Sequence, residues 1–333
     1  MTTCSTKAYW VTGSGRGALL EARVARRPDP GRSVIRTEFS GVSPGTERLV
    51  GLGLVPSGAS TRMACRYMEG DFRLPVKYGY ALVGIGEAGE LAGRRVFVMH
   101  PHQGLAEIED RHATVLPAEL PARRATLIPN LETALNAFWD GEVGPDEPAV
   151  VVGGGPVGLL VAFVLSRRQP GSVVVVESDP DRRRFIDTLP WIDRVLDPAD
   201  LGHGVHAVAF HTSGSPQGLG LALETVGFEG RVIELSWYGA KKVTLDLGTD
   251  FHYQRKRIVA SQVSAIAPSR RATHGHPERL AEVVSLAGDA GLDCLLGPPV
   301  PFESMPAFMR DLYRGNPMFP APVIAYRNDR RRE

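Results

Sequence analysis

The chain lacks most of the features that would tie it to a membrane, an oxidising compartment or a nucleic acid. Only three cysteines occur in 333 residues, Cys4, Cys65 and Cys294. No two stand in a C-x-x-C pair, so neither a disulfide framework nor a cysteine-based zinc site is signalled. No uninterrupted apolar run is long enough to span a bilayer. The N-terminal MTTCSTKAYWVTGSG has neither the basic flank nor the apolar core of a signal peptide, so a cytoplasmic protein is expected. Net charge is scarce too, 38 Lys and Arg against 37 Asp and Glu leaving +1. That balance does not supply the sustained positive surface that nucleic acid or an anionic membrane would need. No internal repeat or low-complexity block is found.

What is present is an ordinary globular composition, 43% hydrophobic and 23% charged, in a length that suggests two domains of roughly 100–200 residues each. Up to about Pro121 the pattern is strand-like, with short apolar runs at Val34 to Phe39, Ala81 to Glu87 and Arg95 to Met99 bounded by Gly and Pro. Then the texture changes. LETALNAFWDG reads as a helix, Ala149 to Val152 as a buried strand, Val157 to Arg168 as an apolar helix and Ser172 to Val176 as a second buried strand. DPDRRRFIDTL and LGLALETV follow as helices, HAVAFHT, GRVIELSWYG and RIVASQVSA as strands. Apolar strands alternating with helices predict a parallel sheet covered on both faces. The last segment, with a helix near Pro277 to Ala287 and a final PVIAYR strand, has a mixed character and is expected to return to the first domain.

GGGPVG, Gly153 to Gly158, fits G-x-G-x-x-G. Gly153 permits the tight exit from the strand, Gly155 lets backbone approach a pyrophosphate, and Gly158 allows close helix–strand packing. The helix opening at Pro156 and Val157 would aim its N-terminal amides at the phosphates. Glu177 closes the second strand 22 residues past Gly155, near the spacing at which an acid takes the ribose hydroxyls. A carboxylate there repels a 2′-phosphate, which points to NAD. Ser178 and the trio Arg182, Arg183 and Arg184 could instead pair with that phosphate and admit NADP, or form a solvated helix turn. Ser213, Trp237 and Gln262, beyond the later strands, are expected to frame the nicotinamide, with Trp237 open to a core or subunit-contact reading as well.

A β-rich first half, a dinucleotide-binding middle and a closing LLGPPVPFESMPAFMRDLYRG segment together resemble the medium-chain dehydrogenase/reductase superfamily, the zinc alcohol dehydrogenase-like proteins. The resemblance covers nearly the whole chain. It implies an α/β protein with a GroES-like β-rich catalytic domain from residues 1–123 and 267–333 and a doubly wound Rossmann domain from residues 124–266. SGVSPGTERL (Ser40 to Leu49) resembles the family's substrate-side loop and GYALVG (Gly79 to Gly84) its Gly-His-Glu-x-x-Gly segment. GTERL followed by a Gly-Tyr segment is most similar to bacteriochlorophyllide dehydrogenase-type proteins. The zinc pattern is broken. Ser43 or Pro44 stands in the ligand cysteine's place, Tyr80 in the histidine's, Ala81 in the glutamate's, and Pro129 to Glu132 offers no third ligand. A metal-free site is implied. His100 and His102, in HPH, are two imidazoles without a third ligand, for which structural or substrate-contacting roles are expected.

Without a metal, side chains or water must handle the hydroxyl proton and polarise the carbonyl. Tyr80, in the place of the ligand histidine, is the first candidate. Lys77 or Tyr78 could lower its pKa or add a donor, and Ser43, Thr46 and Glu47 on the neighbouring loop are second-rank candidates. The alternative is a half-buried aromatic edge of a sheet, with Lys77 solvated. Residues 56 to 77 mix Arg62, Arg66, Arg73 and Lys77 with Met63, Tyr67, Met68 and Phe72. They would suit a partly anionic, partly apolar small molecule, a lid or a subunit contact. The leading expectation is a zinc-independent NAD-preferring oxidoreductase on an alcohol/ketone pair. A C=C reductase of the quinone or enoyl type and a non-catalytic dinucleotide-binding protein are the alternatives, which fold alone does not separate. The resemblance also implies a homodimer.

Overall fold

The computed structural model describes residues 2–169, 171–316 and 319–327. The chain divides into two compact units, Met1–Pro129 with Ala287–Glu333, and Asn130–Leu286.

The first unit is built on two largely antiparallel sheets. The hairpin of Thr3–Gly13 and Arg16–Ala25 joins the short strands Val76–Lys77 and Glu69–Gly70 in one of them. In the other, Arg32–Gly41 is central, flanked by Leu82–Ala88 on one side and by Val323–Ala325 on the other, with Arg95–Val98, Ala113–Val115 and Val300–Pro301 further out. The C-terminal segment therefore closes on the N-terminal one, Ser40 facing Ile324 across the ladder. Its helix Met305–Arg314 buries Met305, Met309, Leu312 and Tyr313, a helical stripe, into a core shared with Tyr9, Val11, Val76 and Tyr78. It stops at Gly315, whose φ of 89° only glycine adopts readily. A Cβ on Gly51 would lie 2.0 Å from the Tyr313 ring, so that glycine permits the close seat of this helix.

The second unit is a six-stranded parallel sheet in the order Arg194–Leu196, Val174–Val176, Ala149–Val152, His206–His211, Val226–Glu234, Arg257–Ala260. Counted along the chain this is 3-2-1-4-5-6, the doubly wound arrangement. Its inner strands are valine-rich because both faces are covered, and helix Pro156–Arg168 is buried on nearly every side from Gly158 to Leu165.

Two elements differ from expectation. Residues 267–286, assigned by sequence to the first domain, cluster with the second unit. Arg279 on helix His276–Ala287 holds them there, donating to Glu132 at 3.2 Å and to Asn136 at 2.9 Å on helix Ile128–Gly141. The strand expected through Gly239 ends at Glu234, whose carboxylate captures the Ser236 amide at 2.6 Å and turns the backbone out of the ladder. No helix among the described residues is long and apolar enough to cross a membrane.

Candidate functional site

In the second unit, the three motif glycines have separable reasons to be glycine. Gly153 has φ +113° and meets Ser213, whose backbone nitrogen would lie 2.7 Å from an added Cβ. A Cβ on Gly158 would stand 1.9 Å from the Gly153 carbonyl oxygen. Gly155 meets nothing within 4 Å. It caps helix Pro156–Arg168, so the open backbone and the positive end of a 13-residue helix coincide, which fits a pyrophosphate. Pro156 and Val157 form the first turn. Glu177 is buried and accepts from the Gly154 amide at 3.0 Å, the Asp179 amide at 2.9 Å and Arg182 at 3.0 Å, while the Ser178 hydroxyl stands 3.4 Å away. The arginine trio is engaged. Arg183 donates to the carbonyls of Glu177 and Ser178 and pairs with Asp197, and Arg184 pairs with Asp181.

Of the other expected cofactor residues, Ser213 is exposed at the end of strand His206–His211, with its Oγ 2.7 Å from His211 Nε2. Trp237 is half-buried in the loop after Glu234. Gln262 is exposed beyond Arg257–Ala260, and its carbonyl oxygen accepts from the Ser264 amide at 2.6 Å.

In the first unit, helix Pro44–Gly51 carries Glu47 and begins at Ser43, whose hydroxyl does not cap it. Glu47 reaches back instead, accepting from the Ser43 amide at 2.8 Å. The Ser43 and Thr46 hydroxyls both bond the Tyr80 hydroxyl, so these three expected residues come together. Tyr80 meets Tyr78 edge-on with ring centroids 5.9 Å apart, and Tyr78 meets Phe72 at 5.6 Å. Burial, then the nearby charge of Glu47, pushes the Tyr80 phenol up. Lys77 does not lower it. Its ammonium is buried and donates to Glu69 and, at 2.9 Å, to Gln103. A solvated Lys77 is equally excluded. With Arg73 bound to Asp71 at 2.7 Å, two of the four cations in residues 56–77 already have carboxylate partners, while Arg62 and Arg66 are exposed. Burial raises the Cys65 thiol to about 11 despite its bond to Tyr78.

Sequence reading missed the role of His102. It is buried, Nε2 lies 3.0 Å from Glu47 Oε2, and Nδ1 lies 2.7 Å from Ser40 Oγ, which is in turn 2.9 Å from the Tyr326 hydroxyl. A carboxylate only accepts, so Nε2 carries the proton, Ser40 donates to Nδ1 and Tyr326 donates to Ser40. A Cβ on Gly79, at φ +137°, would meet His102 at 2.9 Å, so that glycine makes room for the imidazole. No spacing links positions 40, 47, 102 and 326; sheet register does. His100 is different. Its Nδ1 donates to the Pro101 carbonyl at 2.8 Å, and burial drives its pKa down to about 3.

Among the described residues no group of three or more His, Cys, Asp or Glu converges as a metal site. Around Tyr80 the near donors are hydroxyls, and the neighbouring imidazole and carboxylate are bound to each other, a poor fit to zinc.

No family model matches the chain. It is 26% identical over 178 residues, half of this chain, to an uncharacterised zinc-type alcohol dehydrogenase-like protein, YphC, of Escherichia coli. It is also 26% identical over 186 residues to (R,R)-butanediol dehydrogenase of Bacillus subtilis, covering 46% of this chain. The matched segments span 49% and 52% of those relatives, about half their length. Among solved structures, L-idonate 5-dehydrogenase of E. coli superposes with a TM-score of 0.78 at 13% identity, covering 97% of this chain and 99% of that one. In sequence the chain is thus similar over about half its length to a zinc-type alcohol dehydrogenase-like protein and a butanediol dehydrogenase, and in fold over nearly all of it to an L-idonate dehydrogenase.

Proposed function

We propose that the protein is a zinc-independent oxidoreductase that moves a hydride between NAD and the carbinol carbon of an alcohol/ketone pair. The observation that carries this is the Tyr80 hydroxyl, bonded by Ser43 and Thr46 and feeling the charge of Glu47, which with His102 and Ser40 forms a buried chain ending at Tyr326. The dinucleotide would be held by the Gly155 backbone and the amides of helix Pro156–Arg168, with Glu177 toward the ribose; when bound it supplies hydride acceptance and donation. Because Arg182, Arg183 and Arg184 are each engaged with acidic partners, the 2′-hydroxyl form, NAD, is favoured over NADP.

Tyr80 works as a neutral phenol, since burial and Glu47 both oppose its ionisation. Toward a ketone it donates its proton to the carbonyl oxygen. Toward an alcohol it accepts the hydroxyl proton as its own leaves to solvent water, and after reduction of a ketone water returns the proton, the Ser43 and Thr46 hydroxyls donating to the phenol oxygen throughout. Two relatives, a zinc-type alcohol dehydrogenase-like protein and a butanediol dehydrogenase, agree by name with CH–OH chemistry.

The test is turnover on a panel of secondary alcohols and ketones with EDTA-treated protein. Activity should survive chelation, and Tyr80→Phe should lower kcat by about 10²–10⁴-fold while NADH affinity stays near wild type. Stoichiometric zinc in the purified protein, or an unchanged rate in Tyr80→Phe, would remove the corresponding half of the proposal.

A further inference from the structure

At the C-terminal ends of strands His206–His211 and Val226–Glu234 lies a polar network that the proton chemistry above does not use. His211 is fully buried, and its Nδ1 is 2.9 Å from both carboxylate oxygens of Glu234. Its Nε2 is 2.7 Å from the Oγ of the exposed Ser213. Glu234 is held in turn by the Ser236 amide at 2.6 Å and the Tyr238 hydroxyl at 3.1 Å. A carboxylate accepts only, so the imidazole proton sits on Nδ1, Nε2 presents its lone pair, and the Ser213 hydroxyl donates inward. One Oγ lone pair takes the Ser215 amide at 3.1 Å, on a residue that is exposed as a whole.

We propose that Ser213 is an activated nucleophile, with His211 as its general base and Glu234 as the orienting carboxylate, and that it takes an acyl group from small activated carboxylic esters. The roles are those of a serine–histidine–acid triad, which geometry rather than chain order defines. Ser213 Oγ attacks the ester carbonyl and forms the O–C bond while its proton moves to His211 Nε2. The carbonyl–alkoxide bond breaks, and the same proton leaves with the alcohol. Water, deprotonated by His211, then releases the acid and restores the serine.

Two comparisons within the molecule support this assignment. Ser40, His102 and Glu47 form the same three-group sequence, but Ser40 is buried and bonded to Tyr326, so its oxygen meets no substrate. Ser213 has the exposure that Ser40 lacks. In addition, a Cβ on Gly218 would lie 2.2 Å from Ser213 Oγ and 2.9 Å from His211 Nε2. Only glycine lets the first turn of the ten-residue helix Pro216–Thr225 sit this close, where its positive end favours the negative charge that develops on attack.

The experiment treats the full-length protein, without nucleotide, with a fluorophosphonate probe and with 4-nitrophenyl acetate, and locates the adduct by peptide mass spectrometry. A single adduct on Ser213 and a burst of about one 4-nitrophenolate per chain are expected. Ser213→Ala should abolish both, and His211→Gln should slow labelling by about 10²–10⁴-fold. Since a substitution at a fully buried histidine can unfold the domain, the near-isosteric Glu234→Gln, checked by circular dichroism, is the second arm and should also slow labelling. No adduct on Ser213 in the wild type, or an equal labelling rate in folded Glu234→Gln, would overturn the proposal. Because the readout uses no nucleotide, its failure is distinct from failure of the hydride-transfer reading.

Discussion

Replacing Gly155 by valine should remove dinucleotide binding and spare the fold, whereas Gly158→Ala should chiefly cost stability. At Gly155 the backbone lies at φ −74° and ψ 177°, extended and open to any residue, and an added Cβ meets nothing within 4 Å. The stability change is then the helix N-cap preference for glycine over valine, about 1 kcal/mol or less, or about 2–4 °C in the melting of a unit of this size. The valine carbons would occupy the space through which a pyrophosphate reaches the backbone. A loss of at least about 10-fold in NADH affinity, about 1.4 kcal/mol, is expected. At Gly158 the new Cβ would stand 1.9 Å from the Gly153 carbonyl oxygen and 2.6 Å from Thr212 Oγ1, so strand exit and helix must separate. Overpacking of this kind costs about 1–3 kcal/mol. NADH titration by fluorescence, paired with thermal melts of both variants, reads the two effects separately. A folded Gly155→Val protein that binds NADH as tightly as wild type would refute the cradle.

Arg279→Ala should destabilise the second unit by about 3–5 kcal/mol in urea unfolding, because it leaves the buried Glu132 carboxylate without its partner; a loss under 1 kcal/mol would mean the pair does not tie this helix down. Glu47→Gln keeps the side-chain oxygen that caps Ser43 but removes the charge opposite His102, so kcat should fall by about 10-fold or more at little cost in melting temperature, read by steady-state kinetics beside a melt. Burial holds His100 neutral, with a pKa of about 3 against the usual 6.5, so the unfolded chain binds its proton first as pH falls. Its contribution is complete above pH 6.5 and declines by about 1.4 kcal/mol per pH unit toward pH 3. Between pH 8 and pH 5 the wild type should therefore lose about 2 kcal/mol more than His100→Gln, and parallel urea curves for the two would count against it.

Much of the fold was legible because its signals are local. Ala149–Val152 was found with the same bounds, and Pro156–Arg168 within one residue, since a β-branched run and a helix opened by Gly-Pro each act over a few positions. The meeting of Tyr80, Ser43 and Thr46 was anticipated only through a family resemblance that placed two loops side by side. His102 stayed ambiguous because two histidines at alternate positions look alike in sequence. One turned to its neighbour's carbonyl and the other to Glu47 and Ser40. Lys77 read as a partner of Tyr80 or a solvated cation, and is neither, because the partners that bury it, Glu69 and Gln103, lie 8 and 26 residues away in directions that only the strand pairing defines.

By itself the sequence determined the glycine turn at Gly153–Gly158 and the valine strands around it, both consequences of residue type and short-range geometry. Tertiary structure alone decided which imidazole joined which carboxylate, because those pairings depend on where distant strands register. Ser40 beside Ile324 and His211 beside Glu234 are set by the ladders, and hydrogen bonds near 3 Å form only where the backbone has already brought the groups together.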